Sequence, residues 1–111
     1  MKITSQPRSL RALPLAKIRK YLPQAKAQGV SEVARARGGF LPAYRRAGGK
    51  LSSMGKHKSG EPWVQRRRNF LRRHLQQMIN DGEPLYDSQG RPSRRHLALI
   101  IWGFSPDASR L

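Results

Sequence analysis

The stretch from about Pro62 to Asn80 constrains this chain more than any other. At about 100° per residue, Trp63, Val64, Phe70, Leu71, Leu75 and Met78 gather on one side of a helix, while Gln65, Arg66, Arg68, Asn69, Arg72 and Arg73 take the other. The first side has to be buried. The second is basic, and no acid interrupts it between Trp63 and Ile79. A helix of this kind must find its apolar partners within 111 residues, so the remainder has to supply short packing elements. Strand signals are scarce: Val, Ile and Thr together number nine, and no stretch alternates apolar and polar positions. The expected fold is therefore all-α, a small helical domain of about four or five helices.

The other elements are read from their punctuation. Pro14 suits the first turn of a helix running through Leu22, with Leu15, Ile18 and Leu22 on one side and Pro23 as its stop. In GVSEVARARGG, Gly29 to Gly39, the Ser31 hydroxyl can cap a helix, Glu32 sits at its positive end and Gly38 can close it in the left-handed region. A short helix follows, with Pro42 in its first turn, Tyr44 and Ala47 on a shared face and Gly48–Gly49 at its end. Residues 48–60, GGKLSSMGKHKSG, have little to bury and read as a flexible loop. Gly82 ends the long helix, and Asp87, Ser88 and Gly90 supply turns beside a two-residue ribbon at Leu85 and Tyr86. Ser93 caps a last helix to about Trp102, apolar all round beyond Leu97 and so central. The domain reading is a basic arm at 1–13, one helical domain at 14–106 and a fraying tail at 107–111.

Lys and Arg total 23 against 6 Asp and Glu, a net charge of +17. Residues 1–60 hold 14 of the cations and one acid, Glu32; residues 61–111 hold 9 cations and 5 acids. Such an excess repels itself unless an acidic surface or a polyphosphate neutralises it. Sixteen of the cations are Arg, whose planar fork engages phosphate at two points where Lys offers a point charge. Leu, Ile, Val and Phe total 23 residues, near the level at which high charge opposes a packed core, so a compact core with loose extensions is expected. There is no cysteine, which excludes disulfides and thiolate zinc sites and suits a bacterial cytoplasm or a virion interior. No apolar run approaches the roughly 18 residues of a membrane span.

These features point to a nucleic-acid-binding protein, duplex DNA ahead of RNA, that works chiefly through phosphate contacts. The candidate residues are Arg66, Arg68, Arg72 and Arg73, assisted by Arg45, Arg46, Lys50, Lys56 and Lys58, with the arm and first helix adding unspecific grip. Residues 30–47 also fit part of a helix-turn-helix template, with Ala34 as the small residue, Gly38 as the turn, and Val33 and Tyr44 apolar; Arg37 and the second glycine, Gly39, depart from it, so a plain αα-hairpin is the favoured reading. Arg67 falls in the apolar sector and would pair with Glu61 or Asp87, or snorkel past Trp63. His57, His74 and His96 lack the carboxylates or cysteines that a metal needs, leaving a metal-independent nuclease using His74 or His96 as the minor enzymatic reading. GGKLSSMGKH fails as a P-loop, since five residues separate its glycines and His57 follows Lys56. Trp63 and Phe70 lie on the apolar side, so base-stacking platforms are not expected. No cofactor or metal is expected, and no membrane partner. The competing reading is a basic interaction protein that docks on an acidic host or virion protein.

The phrases GGFLPAYRRAGG, NFLRRHLQQM and GRPSRRHLALIIWGFSP resemble those of short, basic, uncharacterised proteins of tailed bacteriophages and prophages, over roughly residues 30–106. The resemblance implies a small intracellular phage-type protein. Those proteins have no settled activity, so it assigns no catalytic residue.

Overall fold

The computed structural model describes residues 10–111; most of the arm expected at 1–13 lies outside the described residues. Five α-helices follow one another: α1 Leu15–Ala27, α2 Glu32–Arg35, α3 Phe40–Arg46, α4 Trp63–Asp81 and α5 Arg94–Ile101, with 3-10 turns at Leu51–Ser53 and Ala108–Arg110. Among the described residues there is no strand beyond two isolated antiparallel bridges, Lys56 with Pro62 and Tyr86 with Pro92. The domain is all-α.

The long helix forms where its periodicity puts it. Gly82, at φ 63°, ends α4 in the left-handed region, and Leu71, Leu75 and Met78 on its inner side are fully buried. Ser93 caps α5 as its chemistry suggests, its hydroxyl accepting from the His96 amide. α5 is the shared element of two cores. Leu97, Ile100 and Ile101 join Ile18, Ala25, Phe40, Leu41 and Tyr44 from α1 and α3, whereas Leu99 joins Leu71, Leu75 and Met78 of α4 together with Leu85 and Phe104. Each buried leucine or isoleucine contributes about 1.5–3 kcal/mol by leaving water, which is how a chain so thin in apolar residues holds together.

Three local expectations need correction. Pro23 does not stop α1; the helix carries it internally and runs on to Ala27. The proline is solvent-exposed, and burial of Ile18 and Ala25 on the opposite side offsets the roughly 3 kcal/mol that an interior proline costs. Ser31 does not cap α2: it sits at φ 55° with no side-chain cap bond, and α2 is only four residues long. α3 begins at Phe40 with Gly39 as its N-cap, which puts Pro42 in the first turn as expected. A Cβ on Gly39 would lie 2.2 Å from the Val33 carbonyl oxygen, so this glycine lets two chain segments touch. With so short an α2, and with Val33 84% exposed, the helix-turn-helix template does not describe residues 30–47.

Residues 48–60 carry more structure than their composition suggests. Leu51 to Ser53 form a 3-10 turn, Met54 is buried, and residues 55–63 make a hairpin closed by Trp63 N–H to the Gly55 carbonyl (3.0 Å) and His57 N–H to the Glu61 carbonyl (2.8 Å). A matching hairpin leads into α5, closed by Ser93 N–H to the Leu85 carbonyl (2.8 Å) and Asp87 N–H to the Arg91 carbonyl (2.8 Å). In the second, the Asp87 carboxylate accepts from the Gln89 amide (2.9 Å); in the first, His57 Nδ1 accepts from the Ser59 amide (3.1 Å). The sequence GEP before Trp63 and GRP before Ser93 is the shared signature. At the other end, Leu111 packs on the first core, and its carbonyl accepts from Lys17 Nζ at 2.7 Å.

Candidate nucleic-acid interface

Arg67 is the inward residue of the RRR run. It is 3% exposed, and its guanidinium donates from Nε to the Trp102 carbonyl (2.9 Å), from Nη1 to the Leu10 carbonyl (2.7 Å) and from Nη2 to the Gly103 carbonyl (2.9 Å). Two of these acceptors close α5. Gly103 takes φ 75° there, and Phe104 N–H to Leu99 O (3.0 Å) with Gly103 N–H to Ile100 O (2.8 Å) completes the left-handed cap. Arg67 thus places its charge at the negative end of α5, and neither carboxylate expected for it is its partner: Glu61 pairs with Arg66 and Asp87 with Arg91, each at 3.3 Å. Burial lowers the guanidinium to about 10, against the opposing influence of the Tyr44 phenol, so it is charged at neutral pH.

The outer side of α4 is reached by the remaining arginines. Arg68, Arg72 and Arg73 are exposed, and Arg68 donates to Gln65 Oε1 at 3.4 Å. Arg66 is half-buried: its guanidinium lies 5.7 Å over the Trp63 ring, Nη1 meets Glu61 Oε1 at 3.3 Å, and its covered Nε has no acceptor among the described residues. Arg66, Arg72 and Arg73 line one cleft of about 620 Å³ together with Glu61, Asn69, Phe70 and Trp102. Lys56 and Lys58, both exposed, sit on the hairpin that leads into α4. Arg45 and Arg46, exposed at the end of α3, and Lys50 beyond them are not in that cleft. Arg45 instead borders a groove of about 360 Å³ with Arg19 and Lys26 of α1 over Leu15, Ile18, Leu22 and Leu41.

Aromatic rings lie closer to this surface than their helical phase implies. His74, Phe70, Trp102, Phe40 and Tyr44 form a continuous stack, with successive centroids 4.0, 4.3, 5.0 and 5.3 Å apart. The first three are half-buried and the last two fully buried. Phe70 also lines a second cleft of about 620 Å³, with His74, Glu83, Ser93, Arg94 and Arg95 among its walls. Sequence reasoning missed Glu61, Trp102 and Arg95 as parts of these clefts. Only the i, i+4 spacing of Phe70 with His74 and of Arg66 with Phe70 was visible in advance.

The histidines have structural occupations. His96 is fully buried; Nδ1 donates to the Leu85 carbonyl (2.9 Å), which leaves Nε2 to accept from the Ser105 hydroxyl (2.7 Å). His74 Nδ1 accepts from Arg95 Nη1 at 2.7 Å, and Arg95 also grips Glu83 through Nε (2.9 Å) and Nη2 (3.2 Å). Burial first, then the charges of Arg95 and Arg73, hold His74 below the usual imidazole range, and burial does the same to His96. Glu83 is pulled below the usual carboxylate range by the Arg95 hydrogen bond. Among the described residues no three His, Asp or Glu side chains converge as a metal site, and no helix is long and apolar enough to cross a membrane. Comparison of the chain with protein-family models, curated proteins and solved structures finds no match.

Proposed function

We propose that this protein binds nucleic acid, duplex DNA ahead of RNA, through phosphate contacts made from the outer side of α4 and the hairpin before it. The observation that carries this reading is the pairing of two faces on one helix: Leu71, Leu75, Met78 and Arg67 anchor α4 in the core, while Arg68, Arg72 and Arg73 stand exposed with no carboxylate on the helix before Asp81. Nineteen helical residues rise about 28 Å, and duplex DNA carries a phosphate about every 1.7 Å of its axis, so several contacts fit along the helix. A bacterial cytoplasm or a virion interior would be the setting for such a role. Buffer salt tests it. Neutralising about five phosphates gives a log–log slope of affinity against salt of about −4 to −5, and each of Arg68→Ala and Arg73→Ala flattens it by about one. A salt-independent affinity, unchanged by both substitutions, overturns the reading.

One observation favours a second reading, docking on an acidic protein. Val33 is 84% exposed between Glu32 and Ala34, with Arg37 exposed nearby in the chain, and an apolar side chain gains by being buried on a protein surface, which a phosphate does not offer. A partner that stays bound at defined stoichiometry after nuclease treatment and is lost in Val33→Ser supports it; loss of the partner on nuclease treatment returns the contact to nucleic acid.

A further inference from the structure

Phe70 is stacked on Trp102 on one side (4.3 Å, 14° between planes) and on His74 on the other (4.0 Å, 27°), and Trp102 is stacked on Phe70 and on Phe40 (5.0 Å, 24°). The faces of both rings are used within the stack. What Phe70 and Trp102 have left to offer the cleft bounded by Arg66, Asn69, Arg72 and Arg73 is ring edges, the positive end of the aromatic quadrupole. Ring edges beside guanidinium groups suit anionic oxygen and give a nucleobase no face to stack on.

The cleft's one carboxylate is loosely held. Arg66 meets Glu61 at a single point, 3.3 Å from Nη1, with the two side chains 34% and 36% exposed and Nε unpartnered. At the far end of α4, Arg95 grips Glu83 at two points, 2.9 and 3.2 Å, and spends a third donor on His74. A half-exposed single-point pair contributes little, whereas a phosphate can take an arginine fork at two points.

We propose that this cleft is a site for one phosphate group, held by Arg66 and Arg73, with Glu61 as the internal counter-ion that the phosphate displaces. The inference rests on the nucleic-acid reading for its ligand's most natural source, a backbone phosphodiester, while a free phosphate would satisfy the same chemistry.

The full chain is titrated at fixed ionic strength with inorganic phosphate, followed by the Trp indole signals in NMR, and in parallel with a short duplex lacking terminal phosphates, followed by anisotropy. Glu61→Gln tightens phosphate binding up to about fivefold, which converts to about 1 kcal/mol. Glu32→Gln, an identical charge change on α2, leaves it within about twofold, because a remote exposed charge is screened. Arg73→Ala weakens binding with the melting temperature unchanged, and Arg66→Lys weakens it while keeping the charge. Equal effects of Glu61→Gln and Glu32→Gln, or no effect of Arg73→Ala, overturn the site. If the phosphate series behaves as expected and the duplex does not bind, the site stands with a free or terminal phosphate as its ligand, and the duplex reading falls by itself. If the duplex binds through Arg68 and the phosphate series is flat, the reverse holds.

Discussion

Arg66 and Arg67 are neighbours in sequence and stand about 100° apart on α4, yet their surroundings have little in common. Arg67 reaches three carbonyl oxygens in the core, two of them at the end of α5, and uses all three of its nitrogens. Arg66 lies in a surface cleft, touches one half-exposed carboxylate and leaves a nitrogen unpartnered. The same side chain thus serves as a structural bolt on one flank of the helix and as an available cation on the other. Acceptor supply makes the difference: the carbonyls that α5 cannot satisfy within itself are fixed in place, while Glu61 is one half-exposed carboxylate shared with Asn69, whose Nδ2 lies at 3.5 Å.

Substitutions on the buried side of α4, at Arg67 and Leu75, should cost the most stability. Arg67→Met keeps the volume and removes the donor from the Trp102 and Leu10 carbonyls, each costing about 1–3 kcal/mol, while the Gly103 carbonyl keeps the Leu13 amide at 2.7 Å, so urea denaturation should show a loss of about 2 kcal/mol or more; a loss below about 1 kcal/mol would mean that the carbonyls find other donors. Leu75→Ala, at a site with no exposure, should cost about 2–5 kcal/mol without altering the salt slope of DNA binding, which separates the anchoring side of α4 from the contacting side.

The histidines set a pH dependence of intermediate size. His74 and His96 have folded-state values below their ordinary one, because burial disfavours the charged ring. The unfolded chain therefore binds more protons in the window between the depressed values and about 6.5, and stability rises with pH across it. As pH falls below about 6.5, stability should drop by up to about 1.4 kcal/mol per unit for each histidine, and His96→Gln should remove its share of that slope. A melting temperature independent of pH from 7 to about 5 would contradict this.

The two Arg–Glu pairs at the ends of α4 differ in the same way as Arg66 and Arg67. Glu83→Gln should destabilise by about 1 kcal/mol, since it loosens a two-point fork that also holds His74. The single-point pair of Glu61 should contribute within about 0.5 kcal/mol, so thermal denaturation of Glu61→Gln should differ little from the parent. The smallest effect belongs to Arg68→Ala, which should leave stability within about 0.5 kcal/mol while changing the salt dependence of binding.

How much was legible in advance differs by element. The sequence places α4 at about Pro62 to Asn80 and it occurs at Trp63–Asp81, because a two-sided pattern interrupted at Arg67 alone and a following glycine are local signals that need no partner to read. The Ser93 cap and the central burial of α5 were equally readable, since a hydroxyl before a helix and a helix without a polar side leave few alternatives. Pro23 misled because the usual penalty for an interior proline is a local quantity, and packing of Ile18 and Ala25 outweighs it. Arg67 was recognisable as an anomaly among apolar neighbours, but its partners, Leu10, Trp102 and Gly103, are distant in the chain and are backbone atoms that no side-chain pattern reveals. His57 resisted interpretation for a similar reason, as it does in its hairpin what Asp87 does in the other.

The sequence by itself determined an all-helical chain, the two-sided character of α4, the central place of α5 and the strong excess of positive charge, for these follow from residue order over a few helical turns and from simple counting. Which arginine turns inward, which carboxylate faces Arg66, and the closing of a cleft by Trp102 with Phe70 were set by packing. Those outcomes depend on which unsatisfied carbonyls and ring edges happen to meet when separate helices pack, a matter of three-dimensional neighbours that residue order does not encode locally.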